Sequence, residues 1–267
     1  MKKINLKNAF YFILVILTIW SCGTSQRELA VKKINMARQH LNAGDTLQSI
    51  ILLDSIKILY PKAEVQQAIA KNILMATYQQ IIDNRKIQMI RNDSLILDAE
   101  TKFDKVKTEF DRYMQYNHKR QTFMRSWNRS FLQVHLDERG ELYLSSNYMG
   151  KEWLNHTGIR VYDEKLQAKS ERVPVDDMLN HQSDFLDHKW EKVTYMNGRA
   201  DSVITFIANN NTLNLKCVFL GSRYYYIVLE SYDKQAVIDA LTLSNAIKRK
   251  KQLEDEIVIL SRSMKSL

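Results

Sequence analysis

Glycine, proline and cysteine are all scarce in this 267-residue sequence, with 7, 2 and 2 residues respectively. The few glycines fall where turns are expected, and none builds a phosphate-cradling loop or a G-x-S-x-G nucleophile elbow. No H-E-x-x-H and no C-x-x-C occurs either, so the usual local marks of metalloprotease and dithiol chemistry are missing. Two cysteines, Cys22 and Cys217, are too few for a disulfide framework. Long apolar runs are missing as well. The longest, Ala9 to Trp20, covers about 12 residues, whereas a helix needs roughly 20 to span a bilayer.

That short run sits in a telling place. Met1 to Asn8 carry Lys2, Lys3 and Lys7 and no acid, and Ser21, Cys22 and Gly23 follow the run at once. A basic start, a short apolar core and a small-residue exit predict a secretory signal over residues 1–21. Ile19-Trp20-Ser21-Cys22 resembles the lipobox of bacterial lipoproteins, with an aliphatic residue at −3, a small one at −1 and the obligatory cysteine; Trp20 at −2 is bulkier than the usual occupant. The resemblance implies cleavage before Cys22 and acylation of its thiol, with residues 22–26 as a lipidated tether. In such proteins of two-membrane bacteria an aspartate directly after the cysteine commonly retains the protein at the inner membrane. Gly23 stands there, so the outer membrane is implied. Thr24 to Arg27 supply no acidic run of the kind that sends some lipoproteins to the cell surface, so a periplasm-facing anchor is expected.

The chain carries 39 basic and 30 acidic residues, a formal +9. Without the three lysines of the signal, 36 basic residues face 30 acidic ones, or +6. A modest excess of this kind suits a solvated lysine-rich surface and favours anionic lipid. No nucleic-acid recognition motif is present, and no cofactor is implied.

Arg27 to Tyr78 read as helices. Leu29, Ile34, Ala37 and Leu41 form one stripe, closed by Ala43-Gly44-Asp45 with glycine in the C-terminal role. Asp45 or Thr46 caps a second helix carrying Leu47, Ile50, Ile51 and Ile58 and ending at Tyr60-Pro61, and a third begins about there. This pair resembles one tetratricopeptide unit: Ala37, Gly44, Ser49 and Pro61 stand at that repeat's spacing, while Lys33 replaces the usual aromatic and Ile56 a small residue. No second unit is clear, so a helical hairpin of that style is implied and a peptide-binding array is not. Farther on, Ala99, Phe103, Val106, Phe110 and Tyr113 follow a heptad seam, and Ala246, Lys250, Leu253, Ile257, Leu260, Met264 and Leu267 repeat it. The two seams predict an antiparallel stalk, within one chain or between two, with Phe103 near Leu260.

Phe131 to Glu230 read differently. Leu132, Val134 and Leu136 alternate, Asp137 to Gly140 turn the chain, and Leu142 and Leu144 alternate again. Further strands are expected at Ile159 to Tyr162, around Val173, at Lys189 to Met196 and Ser202 to Ala208 about an Asn197-Gly198 hairpin turn, at Thr212 to Leu220, and at Tyr224 to Glu230. Short connections make them antiparallel, as a meander or small sandwich of about seven or eight strands. Asp233 to Ala246 is expected to lie across them as a helix.

The densest group of candidate ligands is Asp176-Asp177 with His181 to His188. On a helix His181, Asp184 and His188 would share a face and suit zinc, although Pro174 argues for a loop. Trp153, His156 and Tyr162 carry rings and polar groups of the kind that line a glycan or peptide groove, or that anchor a loop over a sheet. Arg223-Tyr224-Tyr225-Tyr226 offers rings on both faces of a strand, one of which marks a contact surface or a good strand former. Cys217, in phase with Leu213, Leu215 and Phe219, is expected as a buried free thiol. Lys248 to Lys251 form a basic run suited to a solvated helix face or to anionic head groups. A catalytic triad gathered from distant positions would leave no local mark.

The whole reads as α+β: helical 27–122 with a long coiled-coil-like helix, an antiparallel β domain at 123–231, and a helical segment at 232–267. The expected role is a non-catalytic interaction or scaffold protein, held to the membrane by Cys22 and meeting an envelope protein partner. A glycan- or peptide-binding module and an unrecognised hydrolase are the alternatives.

Overall fold

The computed structural model describes residues 25–121, 128–185 and 187–267. The predicted signal and Cys22 lie outside the described residues. The fold is α+β, with five helices and ten strands among the described residues. The chain divides into two compact units: the described residues up to Asn84 together with Ile257–Leu267, and Arg85–Glu256.

The first unit is helical. Helix α1 (Gln26–Asn42) starts at a capping box, in which the Ser25 side chain accepts from the Glu28 amide while the Glu28 carboxylate accepts from the Ser25 amide. Gly44, at φ +81°, ends it in the conformation that glycine adopts without strain. Asp45 then caps α2 (Thr46–Leu59) by accepting from the Gln48 amide. Ala30, Ile34 and Ala37 of α1 and Ser49, Leu53 and Ile56 of α2 are buried, so small residues do stand where the two helices approach. The hairpin expected from the tetratricopeptide-like spacing is present. After Pro61, α3 begins at Glu64 and runs to Glu100 as one helix of 37 residues; its first turns add Ala70 and Leu74 to the same apolar cluster, with Leu267 packed against it.

The second unit is built on two antiparallel sheets. One has the order β1-β2-β3-β4-β8-β7 and the other β10-β9-β5-β6. The strands are β1 (Phe103–Val106), β2 (Gln115–His118), β3 (Phe131–Asp137), β4 (Leu142–Gly150), β5 (Gly158–Tyr162), β6 (Gln167–Lys169), β7 (Asn180–Phe185), β8 (His188–Tyr195), β9 (Lys216–Leu220) and β10 (Tyr224–Val228). The chain visits the first sheet through β4, crosses to make β5 and β6, returns for β7 and β8, and ends in β9 and β10. Leu132, Leu144 and Tyr195 of one sheet share a core with Val161, Cys217 and Phe219 of the other, so the sandwich reading holds.

Several expectations fail here. The predicted seam from Ala99 to Tyr113 is not helical: α3 stops at Glu100, and Phe103 enters the β1–β2 ladder opposite His118. Phe110 is 90% exposed, in no seam at all. The β region therefore begins near residue 103 rather than 123. Asn197 and Gly198 do form a tight turn, both with positive φ, but the element after it is helix α4 (Asp201–Asn209) and not a strand. Val203, Ile204 and Ile207 fill its buried face, a helical spacing. Val173 is buried but lies in an irregular stretch after β6.

The last helix, α5 (Ser231–Lys265), carries both the expected cross-sheet helix and the second heptad stripe. It does pair with α3 inside the chain. Asn92 donates to the Ala246 carbonyl at 2.8 Å, Arg249 to Gln88 at 3.0 Å, Lys250 binds Asp93 at 2.8 Å, and Arg85 binds Glu256 at 2.5 Å. The order is antiparallel, as predicted, but the register brings the end of α3 toward Asp239, which binds Lys102 at 2.7 Å, and not toward Leu260. Arg249 and Lys250 of the basic run are used in this pairing.

Candidate functional site

A fully buried polar network in the interior of the second unit arises from two strands and one loop. On β4, Leu144, Ser146 and Tyr148 face inward together, and on β8 Glu191, Val193 and Tyr195 do the same. Ser146 lies opposite Val193 in the ladder, which puts the serine beside both polar residues of β8. The loop between β4 and β5 then folds over them and delivers His156.

A chain of hydrogen bonds results. The Tyr195 hydroxyl and Ser146 Oγ are 2.8 Å apart, Ser146 Oγ and His156 Nε2 2.8 Å, and His156 Nδ1 and Glu191 Oε2 2.6 Å. Every donor finds an acceptor when Tyr195 donates to Ser146, Ser146 to Nε2, and Nδ1–H to the carboxylate. Burial pushes the Tyr195 phenol well above its ordinary value, which keeps its proton in place. For Glu191 burial acts to raise the carboxyl, but hydrogen bonds from the His156 ring and from the amides of His156 and Asn155 outweigh it and hold it below the usual carboxylate value.

Glu191 also organises the loop. Its Oε1 accepts from the amides of Leu154 and Asn155 at 2.7 and 2.8 Å, and its Oε2 from the amide of His156 at 3.0 Å. Three successive amides converging on one anion form a nest, and Asn155 at φ 51° supplies the left-handed residue that such a concavity needs. The carbonyls are met as well: Leu154 accepts from the Ser222 amide, and His156 from Asn180 Nδ2. The His156 ring stacks on Phe219 of the other sheet, with centroids 5.1 Å apart. The loop is thus tied to both sheets.

Serine, histidine and carboxylate in this order have the connectivity of a nucleophile, base and orienting acid. Their setting differs from a working triad. Ser146, His156 and Glu191 are all 0% exposed, so in this conformation no substrate reaches the hydroxyl. The arrangement holds a loop.

Of the sequence-predicted groove residues, His156 is buried in this network and unavailable to a ligand, which corrects that expectation. Trp153 and Tyr162 are half-buried, each with a cation over its ring: Lys189 at 5.3 Å for Trp153 and Arg160 at 5.3 Å for Tyr162. They anchor chain rather than line a shared groove. The zinc candidates are not on a helix. His181 and Asp184 lie on opposite faces of β7, and His188 stands opposite Phe185, about 13 Å along the strand from His181. Asp184 is ion-paired with Lys189. Among the described residues no group of three or more His, Cys, Asp or Glu is placed to hold a metal ion. Cys217 is fully buried and free, and burial drives its thiol upward.

Sequence reasoning missed Ser146 and Glu191. The signal was there for the glutamate, because it falls in phase with Val193 and Tyr195 on the inward side of a predicted strand.

The exposed face of the second unit includes an apolar row. Tyr224, Tyr226 and Val228 of β10 are 60%, 54% and 60% exposed, on the outward side of a strand that ends its sheet. No described helix is long and apolar enough to cross a membrane. No protein-family model, curated protein or solved structure matches the chain.

Proposed function

We propose that this chain is a lipid-anchored envelope protein with a non-catalytic, partner-holding role. Cys22 carries the anchor, at the periplasmic face of the outer membrane, and β10 is the contact surface for an envelope protein. The observation behind the second part is the outward row Tyr224, Tyr226 and Val228 on a sheet edge that no described strand covers. Exposed edges are ordinarily guarded by lysine, proline or a bulge, and β10 has none of these between Tyr224 and Val228. An unguarded apolar edge is suited to strand addition by another chain. The sealed Ser146–His156–Glu191 network supports the non-catalytic half of the reading.

The test is a photo-crosslinking residue placed at Tyr226 in cells, with one at exposed Lys169 on the opposite edge of the same sheet as control. A discrete envelope-protein adduct at 226, lost in Tyr224→Lys with Val228→Lys, is the expected result. Equal adducts at both positions, or none, would overturn it. Palmitate-analogue labelling of the chain, abolished by Cys22→Ser, tests the anchor separately.

A further inference from the structure

We propose that the end of the helical unit nearest Cys22 lies in the membrane surface, with Ile58, Leu59 and Val65 seated among the lipid head groups as a second contact beside the acyl chains. The proposal rests on the acylation of Cys22 that the proposed function requires.

Chain length limits how far α1 can stand from the anchor. Only Gly23 and Thr24 separate Cys22 from Ser25, which caps α1. Three residue steps span at most about 11 Å however they are arranged. An acylated Cys22 therefore keeps the first turn of α1 at the depth of the head groups. The reciprocal Ser25–Glu28 bonds fix where that turn begins, so the tether pulls on a defined corner of the unit.

That corner also carries apolar side chains. Gln26 Oε1 accepts from the Lys62 amide at 3.1 Å, which places the turn between α2 and α3 against the start of α1. The residues flanking this turn are Ile58, 79% exposed, Leu59, 51%, and Val65, 63%. Inside it, Tyr60 and Ala63 belong to the helical core, so the three exposed side chains are surplus to that packing. Arg27, Lys57 and Lys62 are exposed around them, together with Asp54, Glu28 in its capping box and Glu64. Exposed aliphatic side chains flanked by charged ones are suited to the boundary between head groups and acyl chains. The opposite end of α2 supplies a natural control: Leu47 is 72% exposed, yet it lies 11 residues away, about 16 Å along the helix from Ile58.

The experiment uses the full chain, purified in acylated form and placed in vesicles of phosphatidylethanolamine with phosphatidylglycerol. Single variants Ile58→Cys, Val65→Cys and Leu47→Cys each carry an environment-sensitive fluorophore; Cys217 is buried and does not compete. Nitroxide on the lipids should quench positions 58 and 65 about threefold more than position 47, as befits side chains about 5–10 Å into the boundary. Iodide in the water should show the reverse order. Acylated protein whose positions 58 and 65 respond like position 47 would overturn the docking and leave the anchor standing. Protein whose N-terminal peptide carries no acyl mass would overturn the anchor and the docking with it.

Discussion

At the scale of single residues, Glu191 holds the β4–β5 loop of the second unit. It accepts four hydrogen bonds, three of them from the consecutive amides of Leu154, Asn155 and His156. In Glu191→Gln the amide nitrogen would meet N–H groups where the native oxygen accepts, and His156 would lose its charged partner. Breaking a buried pair in this way costs about 3–5 kcal/mol, to be measured by urea denaturation. Ser146→Ala leaves only the ends of the chain unmatched, at Tyr195 and His156, and should cost about 1–3 kcal/mol. If Glu191→Gln stays within about 0.5 kcal/mol of the parent, as most surface changes do, the carboxylate does not hold the loop. The sequence made part of this readable. Alternation put Cys217 on an inward face, where it is, whereas His156 stood out only as a polar ring beside Trp153 and Tyr162, in the pattern of a groove residue. It was silent on the union of His156 with Ser146 and Glu191, because the three sit on separate segments and only the fold joins them.

At the scale of elements, local signals held and long-range ones slipped. The Asp45 cap, the glycine stop at 44 and the Asn197-Gly198 turn all occur, since each is decided within a few residues. The heptad spacing from Ala99 to Tyr113 misled because periodicity says nothing of what a helix must meet. Lys102 is drawn to Asp239, Lys119 donates to the Thr101 carbonyl, and Phe103 packs edge-on against His118, so the chain leaves the helix there. The stretch from Asp201 to Asn209 misled differently. Its β-branched residues favour strands in general, but burial of Val203, Ile204 and Ile207 on one side rewards a helix. The pairing of α3 with α5 fixes which positions on the two helices face each other. Cysteines at Gln88 and Arg249 should be joined by a short bis-maleimide, whereas cysteines at Phe103 and Leu260 should not. Joining of the second pair and not the first would mean a different register.

At the scale of the whole molecule, the titrating groups point to a marked loss of stability in acid. His135, against Ser145 Oγ at 2.8 Å and stacked on Tyr143, is pushed down to about 3 by burial and by nearby Lys192. His118 is also lowered, chiefly by burial, despite its bond to Asp239. A histidine depressed in the folded state binds its proton first when unfolded, so folding weakens as pH falls below about 6.5. Glu191 and Asp239 act lower down: in both, hydrogen-bond partners outweigh burial, so their contribution is complete above the unfolded carboxylate range and is lost as pH drops through it. Asp233, raised by burial, works in the opposite sense and softens the fall. The expected curve is flat above pH 6.5, declines by about 1–2 kcal/mol to pH 5 through the histidines, and steepens below about pH 4. Urea midpoints across that range give the measurement. His135→Gln should flatten the segment between pH 6.5 and 5 and leave the acid limb in place, since the carboxylates that set the limb are untouched. A variant that declines as steeply as the parent over that segment would show that His135 takes up its proton in the folded state, and the lowering ascribed to its surroundings would be wrong.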